Sequence, residues 1–100
     1  MIKLKMISLP KDDLEKQEIL KRIVAKFEKE KKYSEEEVNE IIKSFNVDDH
    51  VIFRRELVNF NYLGKDSYKG KYWLKKKELS KTELDKIKVN QEKIKKSNTY

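Results

Sequence analysis

Arg55 and Asn59 stand one helical turn apart in the stretch His50-Val-Ile-Phe-Arg-Arg-Glu-Leu-Val-Asn59, and their chemistry is complementary. Arginine offers paired donors that match O6 and N7 of guanine; asparagine offers a donor and an acceptor that match adenine. At about 100° per residue, Ile52, Arg55, Glu56 and Asn59 form one contiguous arc. Phe53, Leu57 and Phe60 share the opposite arc and must be core. Arg54 falls between the Leu57 and Val58 directions, against the protein, where it would hold a carboxylate or helix-end carbonyls. Arg55 has a plainer alternative, an intrahelical pair or simple solvation.

A second group of residues suits phosphate. Residues 1–60 carry thirteen Lys or Arg and thirteen Asp or Glu, whereas residues 61–100 carry twelve Lys and five acids. The whole net charge of +7 therefore lies in the last forty residues. Leu63 to Lys77 alone holds six Lys against Asp66. A localised positive field attracts polyanions, duplex nucleic acid first among them. Lys65, Lys69 and Lys71 are placed for phosphate contacts, with Tyr68 as a hydroxyl donor and Lys75 to Lys77 following the same backbone. Solubility alone is the competing explanation. Residues 31–50 pull the other way, with three Lys against six acids.

Catalysis has little to work with. The chain has no cysteine and one histidine, His50, at the start of a helix beside Asp48 and Asp49. No nucleophile elbow, Gly-rich phosphate loop or metal-ligand spacing is present, so no enzyme, metal or cofactor is expected. The N-terminus lacks the apolar run and cleavage site of a secretory signal, and no run is long enough to span a bilayer. A cytoplasmic location is expected.

The elements that must position Arg55, Asn59 and the lysines are readable from spacing. Ile2, Leu4 and Met6 alternate with lysines as in a half-buried strand. A first helix is expected over about residues 12–30, capped by Asp12 or Asp13, with Asp12 and Glu15 at the spacing of a capping box, and striped with Leu14, Ile19, Leu20, Ile23, Val24 and Phe27. Ser34 and Glu37 form a capping box, flanked by Tyr33 and Val38 as a hydrophobic staple. The helix they open buries Val38, Ile41, Ile42 and Phe45 and stops at Asn46, which tolerates positive φ. A third helix, capped by Asp48 or Asp49, runs through Phe60 to a second stop at Asn61. The short link between these two helices makes a helix-turn-helix, with the first helix bracing it.

A hairpin follows, from Tyr62-Leu-Gly-Lys65 to Lys71-Tyr-Trp-Leu74, with turn chemistry over Asp66 to Gly70. Leu63, Tyr72 and Leu74 should pack on the helices, with Trp73 on the opposite face or at the edge. Ser80 and Glu83 form a second capping box. Behind it Leu84, Ile87, Gln91 and Ile94 make a narrow seam, suited equally to a second copy or to packing across the first helix. Ser97 to Tyr100 should be disordered. The fold class is mainly α with a small β-hairpin (α+β), a winged helix-turn-helix with an added C-terminal helix. Residues 1–78 would form the winged-helix-like domain, and 79–100 a helical extension.

The stretch Phe27 to Trp73 resembles an uncharacterised bacterial domain family, found alone or fused behind helix-turn-helix transcriptional regulators. The resemblance is carried by Lys32-Tyr-Ser-Glu-Glu-Glu-Val-Asn-Glu-Ile-Ile42, Asp49-His50, Phe53-Arg-Arg-Glu-Leu-Val58 and Tyr72-Trp73, with Ser8-Leu-Pro10 as its opening. The family usually has Leu at Phe53 and Gly at Asn61. Phe keeps the core role, and Asn can take the same left-handed turn. The resemblance implies a winged-helix-like fold and a regulatory association, and no particular ligand.

Two functions are then open. In one, the chain is a DNA-binding, transcription-regulatory protein, with the third helix in the groove and the lysine-rich wing on phosphates of double-stranded DNA. In the other, it is a protein-protein interaction module, using Ile52 and the terminal seam to bind a second copy or a regulatory partner. Fold alone does not choose between them.

Overall fold

The computed structural model describes residues 6–97, with side chains described through Val89. Over these residues the chain is α+β, with four helices and one three-stranded antiparallel sheet. The helices are α1 (Asp13–Val24), α2 (Glu35–Lys43), α3 (His50–Asn59) and α4 (Lys81–Ser97). The strands are β1 (Lys32–Ser34), β2 (Leu63–Asp66) and β3 (Lys71–Leu74), in the order β1-β3-β2.

Most of the alternation over Ile2, Leu4 and Met6 lies outside the described residues, and Met6 itself is exposed and in no strand. The N-terminal segment is instead anchored one residue later, where Ile7 makes a parallel bridge to Val47. Helix α1 is shorter than its apolar stripe suggests. Asp12 caps it, its carboxylate accepting from the backbone of Leu14 at 2.8 Å and Glu15 at 3.2 Å. It ends at Val24, although Phe27 remains buried. The charge run that follows turns back through Glu30 at φ 61 and enters β1, where the first helix was expected to continue to about residue 30.

Strand β1 is only three residues long, and its centre, Tyr33, is buried against Phe27 in an edge-to-face contact of 4.9 Å. The Tyr33 hydroxyl accepts from the backbone N–H of Glu28 at 2.8 Å, which stitches the loop to the strand. Ser34 is both the last residue of β1 and the N-cap of α2. Its hydroxyl accepts from Glu37 N–H at 3.1 Å, and the Glu37 carboxylate accepts from Ser34 N–H at 2.9 Å. A cap of this kind stabilises a helix by about 1 kcal/mol.

Asn46 and Asn61 stand at φ 57 and 63, ending the turns that follow α2 and α3. Asp49 caps α3, accepting from Val51 N–H at 3.1 Å. One core joins all the elements. Leu20, Ile23 and Val24 of α1 meet Val38 and Ile42 of α2, Phe53 and Leu57 of α3, and Tyr62, Leu63, Tyr72 and Leu74 of the hairpin. Within it the Tyr62 hydroxyl donates to Gln17 Oε1 at 2.6 Å, and Gln17 Nε2 donates to the Asp13 carbonyl at 2.7 Å. Burial first, then Glu83, Glu18 and Glu78, push the Tyr62 hydroxyl up to about 12.

Helix α4 opens on its own capping box, Ser80 N–H donating to Glu83 at 3.0 Å and Glu83 N–H donating to the Ser80 hydroxyl at 3.2 Å. Lys76 also binds the Glu83 carboxylate. Leu79 and Ile87 are buried in the common core with Leu84 packed beside them, so α4 lies back across the body next to α1. The backbone of Ser97 is the last turn of this helix, where disorder was expected, and residues 98–100 lie outside the described residues. The side chains of Gln91 and Ile94 do so as well.

Candidate nucleic-acid interface

Antiparallel register decides which side of the sheet each hairpin residue occupies. Tyr72 of β3 pairs with Tyr33 on one side and Lys65 on the other. Tyr72 is buried toward the helices, so Lys65 shares the helix-facing side. Lys71, one residue away, takes the outer side, paired with Ser34 and Asp66.

Three elements meet around Arg54. Its Nη1 donates to Asn39 Oδ1 at 2.6 Å, and its Nη2 lies 3.7 Å from Glu35 Oε1. That same carboxylate oxygen accepts from the Tyr72 hydroxyl at 3.1 Å. The guanidinium thus bolts α3 to α2, and through Glu35 to β3. Arg55, the next residue, is exposed.

Between the exposed side of α3 and the hairpin lies a small cleft of about 130 Å³, lined by Arg54, Arg55, Val58, Asn59, Lys65 and Tyr72. The Lys65 ammonium sits 5.6 Å from the centroid of the Tyr72 ring. A guanidinium, an ammonium and a side-chain amide therefore converge on one recess. Of the residues singled out above, the fold brings Arg55, Asn59 and Lys65 together.

The others are dispersed. Tyr68 is 98% exposed at the hairpin tip, where the Asp66 carboxylate accepts from the N–H groups of Tyr68 at 3.0 Å and Lys69 at 3.3 Å. Lys71 is exposed on the outer side of β3. Lys75 is exposed just after β3, its backbone N–H donating to Tyr62 O at 2.8 Å. Lys76, one of the three lysines read as following the backbone, is bound to Glu83 instead. Ile52 is 46% exposed and opens on a separate hollow of about 510 Å³ with Leu9, Pro10 and Phe53. Leu84 and Ile87 are occupied by packing within the chain, one of the two roles their seam allowed.

Glu56 corrects the helical-wheel reading. It was placed on the outward arc, but its side chain is only 17% exposed and its Oε2 lies 2.8 Å from Lys16 Nζ of α1. The wheel describes α3 alone and takes no account of the neighbouring helix. Lys16 also lies 3.0 Å from Asp13 Oδ1. Glu56 Oε1 accepts from Asn59 Nδ2 at 2.8 Å. Burial would raise the Glu56 carboxyl, but hydrogen bonds from Lys16 and Asn59 outweigh it and hold the group below its usual value. Burial likewise opposes the Lys16 ammonium, which Glu56 and Asp13 nonetheless hold above its ordinary value.

Two contacts had no local signal. Lys16 and Glu56 are forty residues apart, and only the docking of α1 on α3 brings them together. On the outer face of the sheet, Lys32 lies 4.6 Å from the Trp73 ring centroid, a pairing that requires β1.

The architecture thus defines a small α+β protein whose exposed α3 and hairpin share a cationic cleft. A family described as an uncharacterised protein conserved in bacteria (DUF2087) matches residues 5–74, and the chain belongs to it. The match ends at the last residue of β3, so α4 lies beyond it. No curated protein and no solved structure gives a match. Among the described residues, no helix is long and apolar enough to cross a membrane.

Proposed function

We propose that the chain is a winged-helix, DNA-binding protein with a transcription-regulatory role, in which α3 enters the major groove and the β2–β3 hairpin lies on the adjacent backbone. The observation that carries this reading is the single cleft lined by Arg55, Asn59 and Lys65. The element order α1-β1-α2-α3-β2-β3, with β1 added to the hairpin, supports the winged-helix description. Arg55 would read a guanine edge and Asn59 a neighbouring base, while Lys65 and the tip residues Tyr68 and Lys69 neutralise phosphates.

The test is binding to labelled duplex DNA by fluorescence anisotropy across a salt series. Log affinity should fall against log salt with a slope of about 0.9 per phosphate contacted. Arg55→Ala should weaken binding about tenfold, within the range of one arginine–guanine contact. Lys65→Ala should reduce the slope by about 1 and weaken binding more than Lys71→Ala, because Lys71 faces away from the cleft. Absence of binding at low salt, or equal affinity in all three variants, refutes the reading.

A second reading, a protein-interaction module, is favoured by the exposure of Ile52 and Val51 near the larger hollow. It predicts salt-insensitive association with a protein partner or a second copy, lost in Ile52→Glu and unaffected by Arg55→Ala.

A further inference from the structure

The amide of Asn59 is held in one orientation. Its Nδ2 donates to Glu56 Oε1 at 2.8 Å. An asparagine amide can ordinarily rotate to present either its oxygen or its nitrogen, since the terminal torsion has a broad two-fold preference. Here rotation would set the carbonyl oxygen against a carboxylate oxygen, two acceptors with no proton between them. Only ionised Glu56 enforces this, and Lys16 keeps it ionised from the other side at 2.8 Å. Asp13, 3.0 Å from Lys16, braces the ammonium in turn. A line of four residues, Asp13, Lys16, Glu56 and Asn59, therefore runs from the first turn of α1 to the exposed surface of α3.

We propose that the Lys16–Glu56 ion pair is a positioning device for Asn59, fixing its carbonyl outward so that α3 selects a base with an exocyclic amino group. This rests on the groove reading of α3. With Nδ2 turned to Glu56, Oδ1 occupies the other arm of the amide and faces away from the carboxylate. In the major groove, adenine N6 and cytosine N4 donate, whereas guanine O6 and N7 and thymine O4 only accept. Adenine satisfies the arrangement best, because the second Nδ2 hydrogen remains for its N7. Cytosine satisfies the oxygen alone. Guanine and thymine meet the fixed carbonyl with another acceptor, and one buried polar group is left without a partner.

Arg55, one turn earlier on the same exposed side, has donors only. The two side chains then divide the code between them: Arg55 seeks acceptors, and Asn59, held by Glu56, seeks a donor. Without the ion pair the Asn59 amide turns freely and the second requirement disappears.

The experiment is selection of bound duplexes from a randomised pool, followed by sequencing, with wild type, Asn59→Ala, Glu56→Gln and Lys16→Met. In wild type, one position should enrich adenine or cytosine by about fivefold or more over guanine and thymine. Asn59→Ala should abolish that preference and leave the other positions. Glu56→Gln, near isosteric, should still bind but bring all four bases at that position within about twofold, because its own amide meets either arm of Asn59. Lys16→Met should relax the preference in the same direction. A purely structural role for the ion pair would lower affinity for every sequence equally and leave the preference intact.

A measurement on the wild-type protein needs no variant to fold. Purine 2′-deoxyriboside in place of deoxyadenosine at the selected position removes the N6 amine and should weaken binding about fivefold. The inference is overturned if the position sensitive to Asn59→Ala prefers guanine or thymine, if Glu56→Gln keeps the wild-type preference, or if the purine substitution is neutral. In those cases DNA binding itself still stands. Loss of all binding at low salt in the wild-type protein overturns the groove reading, and the inference with it.

Discussion

Replacing Gly64 with alanine drives a methyl group into the indole of Trp73. A Cβ at this position would lie 2.3 Å from Trp73 Cε2 and 2.5 Å from Cζ2 and Nε1. Ordinary carbon contacts begin at 3.4 Å, so the ring must move by about 1 Å. The indole is rigid, and the edge in the way carries its ring nitrogen and a ring-fusion carbon, so no flexible tip can swing aside. Moving it also withdraws it from Lys32, whose ammonium lies 4.6 Å from the ring centroid. Overpacking of this kind costs about 1–3 kcal/mol. Against that, alanine in a strand avoids the conformational entropy cost of glycine, an offset of about 0.5–1 kcal/mol. The net expectation for Gly64→Ala is a destabilisation of about 1–2 kcal/mol. For a chain of this length that lowers Tm by about 5–15 °C.

The mechanism has a signature of its own in a double-mutant cycle. In a Trp73→Ala background the obstruction is gone, so Gly64→Ala should be neutral or mildly stabilising. The coupling between the two sites should then be about 2 kcal/mol. Thermal and urea unfolding by circular dichroism would supply the four free energies. Trp73 is the only tryptophan of the chain, so its emission should shift to the red in Gly64→Ala as the ring is displaced toward water. Additive costs in the cycle, or a Gly64→Ala protein with wild-type Tm and unshifted emission, would refute the argument. The perturbation also bears on function, since Lys65 follows Gly64 in β2 and a shifted strand moves one wall of the cleft.

Three further outcomes follow from geometry already described. Asn61 stands at φ 63, so Asn61→Ala should cost about 1 kcal/mol in urea unfolding while Asn61→Gly stays within about 0.5 kcal/mol of wild type. The Tyr62 hydroxyl is raised to about 12 from 10.0, so the folded state holds its proton longer than the unfolded chain. Stability should fall as pH rises from 10 toward 12, and Tyr62→Phe, less stable at neutral pH because Gln17 Oε1 loses its donor, should lose that alkaline dependence. Glu83 is held below its ordinary value by Lys76 first and by the Ser80 N–H, so its contribution is present above about 4.5 and lost as pH falls. Protection factors for amide exchange at the start of α4 should fall as the pH drops below that value, and Glu83→Gln should remove this pH dependence.

Short-range signals were the legible ones. The Ser34–Glu37 box, the two left-handed asparagines and the hairpin turn each depend on residues within four positions, and their geometry can be derived from the chain itself. Strand β1 could not be read this way. Three residues are too few for a two-residue period, and Lys32-Tyr-Ser34 becomes a strand only because β3 is beside it. The same limit explains the length assigned to α1. Phe27 keeps the apolar spacing and is buried, yet it reaches the core from the turn after Val24 instead of from the helix. At the candidate site, the residue types of Arg55, Asn59 and Lys65 were readable, but the side of the sheet was not. Lys65 and Lys71 look equivalent in a lysine-rich hairpin until the register separates them. Glu56 was misplaced because its partner, Lys16, belongs to another helix.

The acids of residues 31–50 bear directly on whether α3 can approach a phosphate backbone. Six acids against three lysines would repel it if all six faced outward as free charges. Four of them are engaged by donors of the chain itself. Glu37 accepts the Ser34 N–H, which lowers its carboxyl, and Glu35 is shared by Arg54 and the Tyr72 hydroxyl. Asp49 caps α3, and Asp48 accepts from the Ser8 hydroxyl. Glu35, Glu36 and Glu37 also stand in the first turn of α2, where the helix dipole favours negative charge. Acids used in this way project a weaker field than their count suggests, and beyond about 8–10 Å physiological salt screens what remains. Arg54 is likewise committed, to Asn39 and Glu35, so its charge does not add freely to the cleft. The cations left facing the recess are Arg55 and Lys65, one on each wall, which is why the proposed interface stands or falls on these two side chains rather than on the +7 of the chain as a whole.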